Sequence, residues 1–240
     1  MTKLQLGEKS INFSQEKFSE LERIKENKIG EISSYEIDSN KGVARTRLDI
    51  SDSFSDIKKI DEYSLYYAFS SCIELTGSID FQELISIGKS GLSRTFDGCT
   101  GLIGSVSFPK LTTIGDYGLS GTFYGCTGLT SISFPKLTSI GTYGLNSIFD
   151  GCTGLTSISF PELTSVGNYG LNYAFNRCTR LTGSISFPKL TSVGDISYAF
   201  YGCTGITEIH FRADIQSAIE AQTGYSSKFG ATNATIYFDL

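Results

Sequence analysis

The sequence has no tryptophan, one histidine, one methionine and four prolines in 240 residues. A single histidine leaves little material for a Ser-His-Asp triad or a zinc site built on imidazoles. No run approaches the roughly eighteen apolar residues of a membrane-spanning helix, so insertion into a membrane is not expected. The opening segment, MTKLQLGEKSINFSQEKF, contains no apolar stretch that could serve as a signal peptide. As written, the chain reads as soluble and without a secretion signal. Positive charge is not in excess: 20 Lys+Arg stand against 25 Asp+Glu, a net −5. That argues against a nucleic-acid surface resting on a general basic field. No CxxC pair occurs, and the glycines form neither a GxGxxG nor a GxxxxGK[ST] loop in a βαβ setting.

What is abundant is 26 Gly, 17 Phe and 13 Tyr, with 6 Cys. Composition this skewed implies one short pattern written many times. The cysteines stand at 72, 99, 126, 152, 178 and 203, at intervals of 27, 27, 26, 26 and 25. Three residues before each Cys comes Phe69, Phe96, Phe123, Phe149, Phe175 or Phe200. Seven before it comes Leu65, Leu92, Leu119, Leu145, Leu171 or Ile196, and three after it Leu75, Leu102, Leu129, Leu155, Leu181 or Ile206. A second Phe follows at 81, 108, 134, 160, 187 and 211. This is a tandem repeat of about 26 residues. Gly77, Gly104 and Gly183 each add one residue, and the unit before Cys203 is two residues shorter.

Within a unit, Ile132 and Phe134 flank Ser133, the alternation of a short half-buried strand. Pro109, Pro135, Pro161 or Pro188 stops that strand, because proline cannot donate to a ladder. LTSIG then supplies a second short extended piece. In GLNSIFDGC the Leu, Phe and Cys fall four and three apart, which predicts one or two turns of 3-10 or α-helix with one apolar face. Strand, turn, strand and short helix make one coil of a solenoid, in which neighbouring strands sit about 4.8 Å apart. No coil can bury its apolar face alone, so the stack folds as one body.

The pattern CTxLTxIxFPxLTxIGxxxLxxxFxGC resembles the BspA-like leucine-rich repeat family, over roughly residues 46–211. The resemblance implies an α/β leucine-rich-repeat solenoid: a right-handed, horseshoe-like stack of short strands with short 3-10 or α turns on its outer side. It also implies a bacterial surface setting, gut bacteria included, and a part in adhesion or recognition. This chain carries Gly-Leu where many members have Ala-Phe before the Cys.

A solenoid needs ends that keep its open edges from pairing with other chains. Residues 1–45 read as a hairpin, LQL and SINF around Gly7-Glu8-Lys9, followed by a helix from Gln15 to about Glu26 capped by Ser14. This segment is either a cap or a module that anchors the solenoid to a larger assembly. Residues 30–50 hold a degenerate first coil. Residues 212–240 read as a helix over 213–222 with Ile215 and Ile219 on one face, a stop at Gly224, and a strand in ATIYFDL.

Six cysteines in one column read as small buried hydrophobes in reduced form, since free Cys is among the most buried residue types. His210 sits where other coils carry Ser107, Ser133, Ser159 and Ser186, and reads as a surface residue. No nucleophile, acid-base pair, metal site or cofactor loop emerges, so a non-enzymatic role is expected.

Recognition is better supported. Core columns barely change from coil to coil, whereas two columns vary. Five before the Cys stand Tyr67, Arg94, Gly121, Ser147, Tyr173 and Tyr198; two before it stand Ser70, Asp97, Tyr124, Asp150, Asn176 and Tyr201. Three apart on one turn, the columns share a face. The candidate ligand-binding residues are Tyr67, Arg94, Asp97, Tyr124, Asp150, Tyr173, Asn176, Tyr198 and Tyr201, types common at recognition surfaces. A third column, Tyr63, Tyr117, Tyr143 and Tyr169, is expected to pack between coils. The leading reading is a module that binds a protein or glycan ligand. The alternative is a receptor-binding or structural component of a phage or prophage particle.

Overall fold

The computed structural model describes residues 2–6, 9–13, 48–49, 54, 57–73 and 75–240. Strands β1 (Thr2–Leu6) and β2 (Lys9–Phe13) pair antiparallel, Thr2 opposite Phe13 and Leu6 opposite Lys9. The helix expected over 15–26, and with it the question of an anchoring module, lies outside the described residues. So does most of the degenerate coil over 30–50.

From β3 (Leu48–Asp49) onward every strand pairing is parallel. After β4 (Lys59–Ile60), each coil delivers a long strand and a short one: β5 (Leu75–Asp80) and β6 (Ser86–Ile87), β7 (Leu102–Ser107) and β8 (Thr113–Ile114), β9 (Gly128–Ser133) and β10 (Ser139–Ile140). The next coil keeps only its short strand, β11 (Ser165–Val166), its long segment touching β9 through the single bridge Ser131–Ser157. Then come β12 (Thr182–Phe187), β13 (Ser192–Val193) and β14 (Gly205–Phe211). The short strands form one continuous six-stranded sheet, β13-β11-β10-β8-β6-β4. The long strands split into β3-β5-β7-β9 and β12-β14 plus the terminal β15 (Thr235–Phe238). The inserted glycines account for irregularity on the long side. Each sits at positive φ, 93°, 80° and 81° for Gly77, Gly104 and Gly183, where the strand register shifts. They are bulges, and the parallel pairing resumes beyond each of them.

Between coils run two stacks of phenylalanine rings. Phe69, Phe96, Phe123, Phe149, Phe175 and Phe200 stack at 5.6–5.9 Å. Phe81, Phe108, Phe134, Phe160, Phe187 and Phe211 stack at 4.8–6.0 Å. Leu, Ile and Cys of each coil fill the space between the stacks and are buried. All six cysteines are buried. Five donate to the Phe carbonyl one coil back, from Cys99 Sγ to Phe69 O at 3.0 Å through to Cys203 Sγ to Phe175 O at 2.9 Å.

The expected helical turns take a different form. Their i→i+3 bonds are present, as in Ala68 N–H to Leu65 O and Cys72 N–H to Phe69 O, both 3.0 Å. Every fourth residue is left-handed, however: Tyr63, Tyr67 and Ser71 in the Cys72 coil, with φ of 55°, 54° and 58°. The N–H groups at these positions, and those midway between them, donate to the next coil instead. Leu65, Tyr67 and Phe69 bond to the carbonyls of Gly91, Ser93 and Thr95 at 2.9–3.1 Å. Five such rungs join each pair of neighbours from the Cys72 coil to the Cys178 coil. The physical reason is width. A full α-helix is about 10–12 Å across, far more than the 5.6–5.9 Å separating ring stacks on this side of the coils. A ladder of tight turns fits that spacing and still satisfies the backbone.

At the C-terminus the single expected helix divides into a 3-10 turn, Ala213–Ile215, and α1 (Gln216–Glu220), and Ile215 and Ile219 are both buried. Gly224 is no left-handed stop, having φ −77°. It is glycine because a Cβ there would lie 2.9 Å from Ser197 Cα. The following Tyr225–Gly230 imitates one more coil: Lys228 and Phe229 are left-handed, and Phe200 N–H donates to Phe229 O at 2.9 Å. β15 then pairs in parallel with β14.

Candidate functional site

The turn ladder is the face on which the variable columns lie. Ten of the 13 tyrosines belong to it: 63, 66, 67, 117, 124, 143, 169, 173, 198 and 201. The position five before the Cys is left-handed in every coil, with φ from 52° to 63°. A bulky side chain there costs about 1–2 kcal/mol of backbone energy, offset at Tyr67 and Arg94 by the inter-coil rung that the same residue donates.

The nine predicted residues gather in three clusters. In the first, Arg94 pairs with Asp97 at 2.9 Å and its guanidinium carbon stands 5.8 Å over the Tyr67 ring. Tyr66 meets Tyr67 edge-on at 4.5 Å, and Tyr63 meets Tyr66 at 6.1 Å. Partial burial pushes the Tyr67 phenol up from its ordinary value, and the Arg94 charge works against that shift. In the second cluster, Arg177 reaches across three coils. Its Nη2 lies 2.7 Å from Asp150 Oδ1 and 3.2 Å from Tyr124 Oη, and its Nε lies 3.1 Å from Asp150 Oδ1. Asp150 has a side chain only 10% exposed, so this pair is partly desolvated. The bonds to Asp150 and then Tyr124 raise the Arg177 pKa further. In the third cluster, Tyr173 and Tyr198 stack at 5.0 Å, and Tyr198 meets Tyr201 at 6.2 Å. Asn176 is half-buried beside them, its Oδ1 buried without a hydrogen bond.

Arg177 is absent from the predicted set. One signal points to it: four other coils carry Gly98, Gly125, Gly151 or Gly202 at that place, and Arg177 keeps the left-handed φ of 58° the glycines favour. Three members of the third tyrosine column stack between coils, whereas Tyr63, followed by Ser90 in the next coil, meets Tyr66 of its own coil instead. Tyr117, Tyr143 and Tyr169 stack at 4.9 Å per step, and burial against those neighbours raises the Tyr143 phenol.

Elsewhere the surface is closed by ion pairs between coils, Glu83–Lys110 at 2.6 Å and Glu162–Lys189 at 2.7 Å. His210 is less exposed than expected. Its side chain is 19% exposed, and both ring nitrogens face carboxylates, Nδ1 on Asp239 at 2.9 Å and Nε2 on Glu208 at 3.3 Å. Neither nitrogen is free to serve a hydroxyl. Among the described residues no group of three His, Cys, Asp or Glu could hold a metal ion, and no helix is long and apolar enough to cross a membrane.

The family description "BspA type Leucine rich repeat region" matches this architecture in six copies, over residues 58–169 and 120–221. The chain belongs to the BspA-type leucine-rich repeat family. A solved structure, the T. pallidum leucine rich repeat protein, is 17% identical and aligns over 76% of this chain and 74% of its own, at a TM-score of 0.45. No curated protein matches the chain. Within the BspA-type coil, the invariant residues are those of the ring stacks and thiol column, and the variable ones are those of the three clusters.

Proposed function

We propose that this BspA-type solenoid is a non-enzymatic recognition module that binds a protein or glycan ligand on its turn-ladder face. The observation that carries the reading is the contrast between a repeated, buried interior and clustered tyrosines whose neighbours change in every coil. Tyrosine supplies a large contact area at low conformational cost, with a hydroxyl able to donate or accept. The two arginines of the face are paired with Asp97 and Asp150. Orientation therefore comes from fixed hydrogen-bonding groups more than from net charge.

The face is tested by screening the full chain on glycan and host-protein arrays, beside a variant carrying Tyr124→Ala, Tyr173→Ala and Tyr198→Ala. The variant is expected to lose the interactions that the native chain makes, with its circular dichroism unchanged. If a folded variant keeps every interaction, ligands bind elsewhere on the solenoid.

A further inference from the structure

We propose that His210, held between Asp239 and Glu208, is a pH-dependent clasp that keeps the terminal strand β15 docked on the solenoid. This assignment is independent of the ligand-binding face. β15 covers the edge of β14, and its apolar hold is modest. Ile236 and Phe238 are only half-buried, whereas Ile206, Ile209 and Phe211 on β14 are fully buried. The polar contacts of the strand therefore carry a larger share of its docking.

Beside the backbone ladder to β14, the side-chain contacts at the end of the strand converge on one imidazole. The His210 ring lies nearly parallel to Tyr237 of β15 at 4.9 Å. Its Nδ1 stands 2.9 and 3.2 Å from the two oxygens of Asp239, just past β15, and its Nε2 stands 3.3 Å from Glu208 on its own strand. Across the other side, β12 presents the uncharged Ser186 in register. The neighbouring Arg212 is taken up by Asp214 at 2.9 and 2.6 Å. A neutral imidazole has one N–H and one lone pair, so it can donate to only one of its two carboxylates. The imidazolium donates to both. The geometry is thus that of the charged ring, and its proton links the body of the stack to the residue that ends β15.

The direction of the effect follows. The bond to Asp239 raises the His210 pKa above 6.5, against the opposing effect of burial. A group whose folded pKa lies above its unfolded one stabilises the folded form fully below the unfolded value, and loses that contribution as pH rises through the folded value. Docking of β15 is therefore tightest in mildly acidic solution and loosens above the His210 midpoint. Loosening uncovers the edge of β14, a row of backbone groups able to pair with another strand.

Because the chain has one histidine, its imidazole can be followed by NMR without ambiguity. The full chain is titrated while amide exchange, corrected for intrinsic rates, is recorded for Thr235–Phe238 and, as reference, for Ser139–Ile140. The expected result is a midpoint above 6.5 and a fall in β15 protection through that same midpoint, with the reference amides unchanged. Asp239→Asn should lower the midpoint, each unit corresponding to about a tenfold loss of protection on the acidic side. His210→Gln should leave β15 protection flat with pH. A native midpoint at or below 6.5, or β15 protection that does not move through the titration, overturns the clasp.

Discussion

Arg177 shows what one side chain adds to an otherwise regular stack. It occupies a left-handed position that glycine fills in four other coils, and it satisfies Asp150, whose carboxylate is almost out of solvent. Removing it leaves that carboxylate without its cation, a loss of about 1–3 kcal/mol after allowing for the exposed guanidinium. Arg177→Ala should lower stability to chemical denaturation by that amount. Arg177→Gly should be milder, because it loses the same bonds but relieves a left-handed backbone costing about 1–2 kcal/mol. Lys189→Ala, which opens an exposed pair with Glu162, should change stability by less than about 1 kcal/mol. Equal losses for the alanine and glycine variants at 177 would show that backbone strain plays no part. The sequence marks Arg177 only as a departure from glycine. Its partners lie 27 and 53 residues away, and nothing in one coil's text says which neighbour a long side chain will reach.

At the scale of the element, the repeat made the strands, the ring stacks and the thiol column legible, since the same contact is specified six times over. The conformation of the turns was less legible. Leu, Phe and Cys at spacings of four and three suit a helix and a ladder of left-handed turns equally, and only the distance between coils separates them. The thiol column offers a direct check. Burial pushes the Cys126 and Cys152 thiols well above their ordinary range and Cys203 to about 12. Each of these thiols also donates to a phenylalanine carbonyl. Thiolate is the reactive form, so Ellman's reagent should find these thiols silent in the native chain at neutral pH. It should count six thiols once the chain is unfolded. Rapid labelling of the native protein would contradict both the burial and the hydrogen bonds.

Across the whole molecule, stability in a stack is approximately a sum of coil terms and nearest-neighbour interfaces, so weak interfaces decide where it opens. Two coincide near one coil. On the long-strand side, the sheet is interrupted after the single bridge Ser131–Ser157 and resumes at β12. On the turn side, the five rungs of earlier interfaces fall to two between the Cys178 and Cys203 coils, Phe175 to Ala199 and Arg177 to Tyr201. The cause is the coil shortened by two residues. Gln222 spans the missing stretch, accepting from Ile196 N–H at 3.0 Å and donating to Gly194 O at 3.1 Å. These gaps flank the Cys178 coil from opposite sides: the turn rungs and the β11–β13 pair hold it to the Cys152 coil, the β12–β14 ladder holds it to the Cys203 coil, and only the ring stacks run through both interfaces. Sub-global opening should therefore begin with the Cys203 coil and the C-terminal cap, and next release the Cys178 coil. The Cys99, Cys126 and Cys152 coils should open last. Hydrogen exchange resolved by peptide should show this order in mild denaturant, with protection falling from residue 169 onward before it falls over residues 90–151. Gln222→Ala should advance the first step and leave the second in place, because it removes a link between the cap and the last coil only. Simultaneous exchange of all coils would instead mean that the ring stacks couple the solenoid into one cooperative unit despite its interrupted backbone ladders.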